Sequence, residues 1–135
     1  MTENKIIDGK KISSEIREKV KFFAEKLKKE SGRTPGLAVV LVGENPASKV
    51  YVRNKIEKTK EVGFESIEHK FDESVSEDKL LSIVENLNSD NNVQGILVQL
   101  PLPKHINSDK VLDTIDPVKD VDGFHAENVG KLWSG

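Results

Sequence analysis

The 135-residue chain has no cysteine. Disulfides, thiolate zinc sites and cysteine nucleophiles are therefore excluded. No apolar run approaches the ~20 residues that a membrane span needs. The segment that follows Met1–Lys5 holds no apolar stretch long enough for a secretory leader. Neither sign of charge prevails: 21 Lys and Arg against 23 Asp and Glu leave a net charge of −2. That balance makes no electrostatic case for nucleic acid or for an anionic membrane surface. There is no G-x-G-x-x-G turn, no internal repeat and no low-complexity tract. These absences predict a soluble, cytoplasmic protein of one domain spanning 1–135, large enough for a core of its own.

The chain is organised around Gly43-Glu44-Asn45-Pro46-Ala47-Ser48-Lys49-Val50-Tyr51-Val52-Arg53-Asn54-Lys55. The apolar, β-branched run 37–42 before it predicts a strand buried on both faces. Asn45 suits an N-cap and Pro46 the first helical position, so a helix is expected over 46–62, closed by Gly63. Tyr51 and Lys55 stand four apart and project from one helix face. Upstream, Ile6-Ile7 suggests an edge strand and Asp8 a cap. Ile12, Ile16, Val20, Phe23 and Leu27 predict an amphipathic helix with its apolar stripe turned inward, ended by Gly32.

Downstream, polar Ser66, Glu68 and Lys70 alternate with Ile67, His69 and Phe71, the period of a strand. Ser74-Val75-Ser76-Glu77 resembles a capping box before a helix lined by Leu80, Val84 and Leu87. A second buried strand is expected over 93–100, stopped by Pro101 and Pro103. Asn107 caps a fourth helix, with Ile106 and Val111 as a hydrophobic staple. A loop over 119–125 leads to a turn or two of helix over 126–132. Alternating strands and helices with short loops predict an α/β fold: a three-layer α/β/α domain on a mainly parallel sheet. A ligand is expected between 43–48 and 99–103, at the carboxyl ends of the two most buried strands.

Three groups of residues suit chemistry there. Lys55, if partly withdrawn from water beside a pocket, can exchange protons near neutrality, and Tyr51 can stack on a flat ligand or donate a hydrogen bond. Taken alone, Tyr-x-x-x-Lys is more often a plain helix surface with a snorkelling lysine. Gln99 ends an apolar strand, where its amide must find a partner or meet solvent. Asp120 and Asp122 precede a glycine; two carboxylates alone make a poor metal site, and no matching His or carboxylate cluster accompanies them. One of them can instead clamp a ring that presents adjacent N–H donors, against the alternative of a solvated acidic turn. The three histidines read as structural or solvated.

Together these pieces are far more specific than any one. The run 43–55, then Gly95-Ile96-Leu97-Val98-Gln99-Leu100-Pro101-Leu102-Pro103, then Pro117-Val118-Lys119-Asp120-Val121-Asp122-Gly123-Phe124, closely resembles the bifunctional methylenetetrahydrofolate dehydrogenase/methenyltetrahydrofolate cyclohydrolase family. The resemblance covers essentially the whole chain from Ile7-Asp8-Gly9-Lys10. It implies that Lys55 is the catalytic lysine, that Tyr51 stacks on the substrate ring and that Gln99 tunes the lysine. It likewise implies that Asp122 binds the pterin, with Ser48 at the mouth of the folate site and Leu100 and Pro101 lining it. It implies NADP as the cofactor of the intact enzyme, held by a Rossmann-type domain that this chain does not contain, with 119–135 starting the connection to it. It implies no cofactor or metal in this chain itself, tetrahydrofolate derivatives as partners, a homodimeric intact enzyme and a monomer for this half. The rival readings are a non-catalytic, flavodoxin-like ligand-binding domain and a scaffold or interaction domain. A phosphoacceptor domain would need an aspartate where the first buried strand ends in Val42-Gly43.

Overall fold

Strand β1 (Gly36–Val42) presents apolar side chains to both of its faces, and the sheet forms around it. In this computed structural model, which describes residues 5–135, β1 is flanked by β2 (Glu65–Phe71) and β3 (Gly95–Val98) in the order β2-β1-β3, all parallel. Residues 1–4, the start of the expected domain and of the stretch read for a leader, lie outside the described residues. Ala38, Val40 and Val42 share one face with Ile96 and Val98. On that face α3 (Glu77–Ser89) contributes Leu80, Val84 and Leu87, and α4 (Ser108–Thr114) contributes Val111. Val39, Leu41 and Leu97 share the other face, covered by Val52 and Ile56 of α2 (Pro46–Glu61). Full burial of one aliphatic side chain stabilises by about 1.5–3 kcal/mol, so these two clusters hold the three layers together.

The local features follow the residue chemistry. Asn45 caps α2 by accepting from the Ser48 N–H at 3.0 Å, with Pro46 behind it. Gly63 after α2 has φ +83°, the left-handed region glycine tolerates. Asn107 caps α4, and Ile106 and Val111 are both buried, as a staple requires. β3 is shorter than the expected 93–100: after Val98 the Gln99 N–H still donates to the Val40 carbonyl at 2.9 Å, and the chain then leaves the sheet toward the prolines. A last helix, α5 (Ala126–Ser134), has no buried residue.

Three local expectations are corrected. Ile6 and Ile7 form no strand and are 79% and 84% exposed, since no strand of the sheet offers them a ladder. Ser76 alone caps α3, accepting from the Lys79 N–H at 3.2 Å, while Ser74 is occupied by the Asp72 turn. The third concerns α1 (Gly9–Ser31), which forms as predicted between its Asp8 cap and Gly32. Its apolar stripe does not turn inward: Ile12, Ile16, Phe23 and Leu27 are 41–63% exposed, and Ala24 is its one buried residue. Among the described residues an Arg17–Glu61 ion pair at 3.3 Å ties the helix to α2, and of the stripe only Val20 is half-buried.

Candidate functional site

The Asn45 cap and Pro46 start α2 directly above the end of β1, which aims the helix across the carboxyl edge of the sheet. One face of α2 then carries Tyr51 and Lys55. Lys55 is half-buried and its Nζ donates to Gln99 Oε1 at 3.0 Å. Gln99 is held in turn: its Nε2 donates to the Leu100 carbonyl at 2.9 Å. The amide therefore has no freedom to flip without losing one of two bonds. The expected pairing of Lys55 with Gln99 is present, and it bridges α2 to the end of β3.

Tyr51, one turn before Lys55, is 61% exposed, with a ring free to meet a flat partner. Ser48, one turn earlier again, is only 4% exposed and sits on the inner side of the helix. Leu100 is half-buried and Pro101 is exposed. Pro101 joins Leu102, Pro103, Val42, Gly43, Glu44, Asn45 and Glu73 around a cleft of about 400 Å³ between the ends of β1 and β3. This is the place at which open α/β sheets bind ligands. A larger cavity, about 590 Å³, lies along another flank of α2; neither cavity is lined by Lys55, Tyr51, Gln99 or Asp122. The basic side chains of the larger one already have acidic partners: Lys49 with Glu44, Arg53 with Glu57 and Lys70 with Glu68. The candidate site is therefore marked by the Lys55–Gln99 bond and by the Asp122 carboxyl that feels the Lys55 charge, not by either cavity.

The two aspartates of the 119–125 loop have different surroundings. Burial pushes the Asp120 carboxyl up, but hydrogen bonds from Asn128 and from the backbone N–H groups of His125, Phe124 and Gly123 outweigh it and hold it below its ordinary value. Burial pushes the Asp122 carboxyl above its ordinary value; the Lys55 charge draws it back down and the Asp120 charge adds to the rise. Asp122 thus stands within electrostatic reach of Lys55, without forming a direct ion pair among the described residues. His125 caps α5: its Nδ1 accepts from the Glu127 N–H at 3.0 Å, which leaves Nε2 to donate to the Asp113 carbonyl at 3.1 Å. Sequence reasoning missed Asn128, whose Nδ2 donates to Asp120 Oδ2 at 3.0 Å and to the Pro117 carbonyl at 2.9 Å. No spacing rule links residues eight apart across a turn and a cap. Among the described residues no group of three His, Cys, Asp or Glu side chains is placed to hold a metal, and no helix is long and apolar enough to cross a membrane.

Fold and side chains together define a parallel α/β domain that holds a half-buried, amide-bound lysine and an exposed aromatic ring on one face of the helix after its first strand. The chain belongs to the tetrahydrofolate dehydrogenase/cyclohydrolase family, whose catalytic-domain model matches residues 7–122. It is 56% identical over 130 residues to the bifunctional protein FolD 2 of Roseobacter denitrificans, covering 96% of this chain and 43% of that protein. The crystal structure of the bifunctional FolD enzyme from Campylobacter jejuni superposes with a TM-score of 0.90 at 46% identity, over 93% of this chain and 44% of that one. The dehydrogenase-cyclohydrolase of Trypanosoma brucei, solved in complex with NADP cofactor and inhibitor, superposes with a TM-score of 0.91 at 33% identity, over 98% of this chain and 45% of that one. The chain spans about half the length of the curated relatives it matches.

Proposed function

We propose that this chain is the folate-binding, catalytic half of an enzyme that oxidises methylenetetrahydrofolate to methenyltetrahydrofolate with NADP and hydrolyses the product to formyltetrahydrofolate. The observation that carries the reading is the Lys55–Gln99 bond of 3.0 Å, which joins α2 to the carboxyl end of β3. Membership of the family supports the substrate class.

In the hydrolysis, water adds to a cationic, amidine-like carbon held between two ring nitrogens. The attacking water gives up both its protons, one as its oxygen joins the carbon and one as that oxygen becomes the formyl carbonyl. One of the two ends on the nitrogen whose bond to the carbon breaks, and the other is released to solvent. A single amine at hydrogen-bond distance serves both transfers, and in its neutral form it does not repel the cation. Lys55 takes this role, with Gln99 restraining its Nζ through the bond at 3.0 Å. Tyr51 supplies a ring face for the pterin. Asp122 accepts hydrogen bonds from the pterin ring and amino N–H groups, and Ser48, Leu100 and Pro101 border the site.

The residues of this chain do not fit NADP. The strand-to-helix turn Gly43-Glu44-Asn45-Pro46 has an acidic side chain, a proline without N–H, and a Ser48 N–H already bound to Asn45. A pyrophosphate needs free N–H groups at such a turn. The oxidation therefore draws on the remainder of a protein of the relatives' length, which we take to be a cytoplasmic homodimer.

Titration calorimetry of this chain with tetrahydrofolate tests the reading. Binding is expected, and Asp122→Asn, which turns an acceptor into a donor, is expected to weaken it by roughly 1.5–3 kcal/mol. No binding by the wild-type chain, or equal binding by the variant, counts decisively against it.

A further inference from the structure

Asp122 is carried by a strap between α4 and α5, and the strap is pinned by residues with no place in the chemistry above. Lys119 Nζ donates to the carbonyls of Leu87 and Asp90, at 3.0 and 2.9 Å, closing the carboxyl end of α3. Such a cation both satisfies orphan carbonyls and suits the helix dipole. The Ile96 N–H donates to the Lys119 carbonyl at 2.7 Å, which lays Asp120 parallel to β3 as an isolated bridge. Val121 then rests on Gly95, where an added Cβ would stand 2.6 Å from its Cγ1.

One turn further, Asp120 Oδ2 accepts from the His125 N–H at 2.9 Å and from Asn128 Nδ2 at 3.0 Å. Asn128 also ties back to the Pro117 carbonyl at 2.9 Å. The Asp120–Asn128 pair therefore closes the strap on itself from both ends, with Asp122 at its bend. Gly123, beside Asp122, has φ +68° and lets the chain reverse there. Asp122 contributes to none of these ties.

We infer that Asp120 and Asn128 form a clamp that positions Asp122 for the pterin, so that Asp120 is a positioning residue acting through Asp122 and not a ligand of metal or substrate. The carboxylate suits the place because every partner aimed at it is a donor, and charge-assisted bonds to backbone N–H groups are the stronger kind. The part of this inference that concerns the pterin rests on the folate reading; the clamp itself does not.

The experiment combines hydrogen exchange with a double-mutant cycle on the 135-residue chain. In Asp120→Ala and Asn128→Ala, the amides of 123–128 are expected to exchange roughly tenfold faster or more, while those of β1 keep their protection. Tetrahydrofolate affinity is expected to fall by a similar factor. In the Asp122→Asn background, Asp120→Ala is expected to cost no further affinity, because its effect passes through the residue already altered. Additive losses overturn the inference, since they mean that Asp120 acts on the fold or ligand independently. Unchanged exchange at 123–128 overturns it as well. A wild-type chain that takes no folate overturns the folate reading instead, and the exchange data still judge the clamp.

Discussion

Lys55 and Gln99 are far apart in sequence and meet at 3.0 Å. A lysine on a helix surface ordinarily keeps its ammonium in water and its stem along the protein. Here the head is drawn to an amide whose own orientation is locked by the Leu100 carbonyl. Lys55→Met keeps the stem and removes the exchangeable protons. In a protein of the relatives' full length, it is expected to abolish hydrolysis of methenyltetrahydrofolate and leave the circular dichroism spectrum unchanged. Near-normal turnover by a folded variant would sink the assignment. The motif 43–55 was enough to single out Lys55 and Tyr51, because i and i+4 share a helix face whatever the tertiary setting. The partial burial of Lys55 was not legible in this way, since it depends on the end of β3.

At the scale of elements, the molecule depends on close approaches and cross-ties more than on helix propensity. β3 can start at residue 95 only without a side chain there, because Val121 and Leu37 occupy the space. Gly95→Ala is expected to destabilise the chain by about 1–3 kcal/mol through overpacking, read as a shift in the urea unfolding midpoint. It is also expected to displace the strap, so folate affinity should fall with stability. A variant as stable as wild type would mean that the strap yields freely.

A second cross-tie joins α3 to α4. Hydrogen bonds from the Asn107 N–H at 2.7 Å and from Lys110 at 3.1 Å hold the Glu77 carboxyl below its ordinary value of 4.5. A carboxylate lowered in the folded state contributes stability in full above pH 4.5 and loses it as pH falls through the lower folded value. The urea midpoint is expected to drop across that window, and Glu77→Gln is expected to flatten the drop. An equal slope in the variant would assign the acid sensitivity to other groups.

For the whole molecule, the apolar surface left uncovered matters as much as the core. Ile12, Ile16, Phe23 and Leu27 of α1 face solvent in this chain, and so do Leu132 and Trp133 of α5, at 86% and 92%. Contiguous apolar faces of this kind mark surfaces made for contact. The chain also covers only 43–46% of its curated relatives, and its own best turn makes a poor phosphate cradle. Equilibrium dialysis of the chain with NADP, with and without tetrahydrofolate, is therefore expected to show no retention. Micromolar binding would mean that the Gly43–Pro46 turn has been misjudged.

Sequence alone determined what depends on neighbours in the chain. The β1 run, the Asn45-Pro46 start of α2, the alternation in β2 and the Asn107 cap are short-range facts of sterics and hydrogen bonding, and each formed where its residues stand. Three long motifs in order also marked the family before any geometry was known. Tertiary structure alone decided which apolar faces are covered. The α1 stripe has the period of a core helix, but periodicity reports amphipathicity and not the presence of something to pack against. It likewise decided the surroundings of each aspartate. Asp120 and Asp122 are alike in sequence, and they part only because the chain turns at Gly123 and brings Asn128 back to the first while leaving the second toward Lys55.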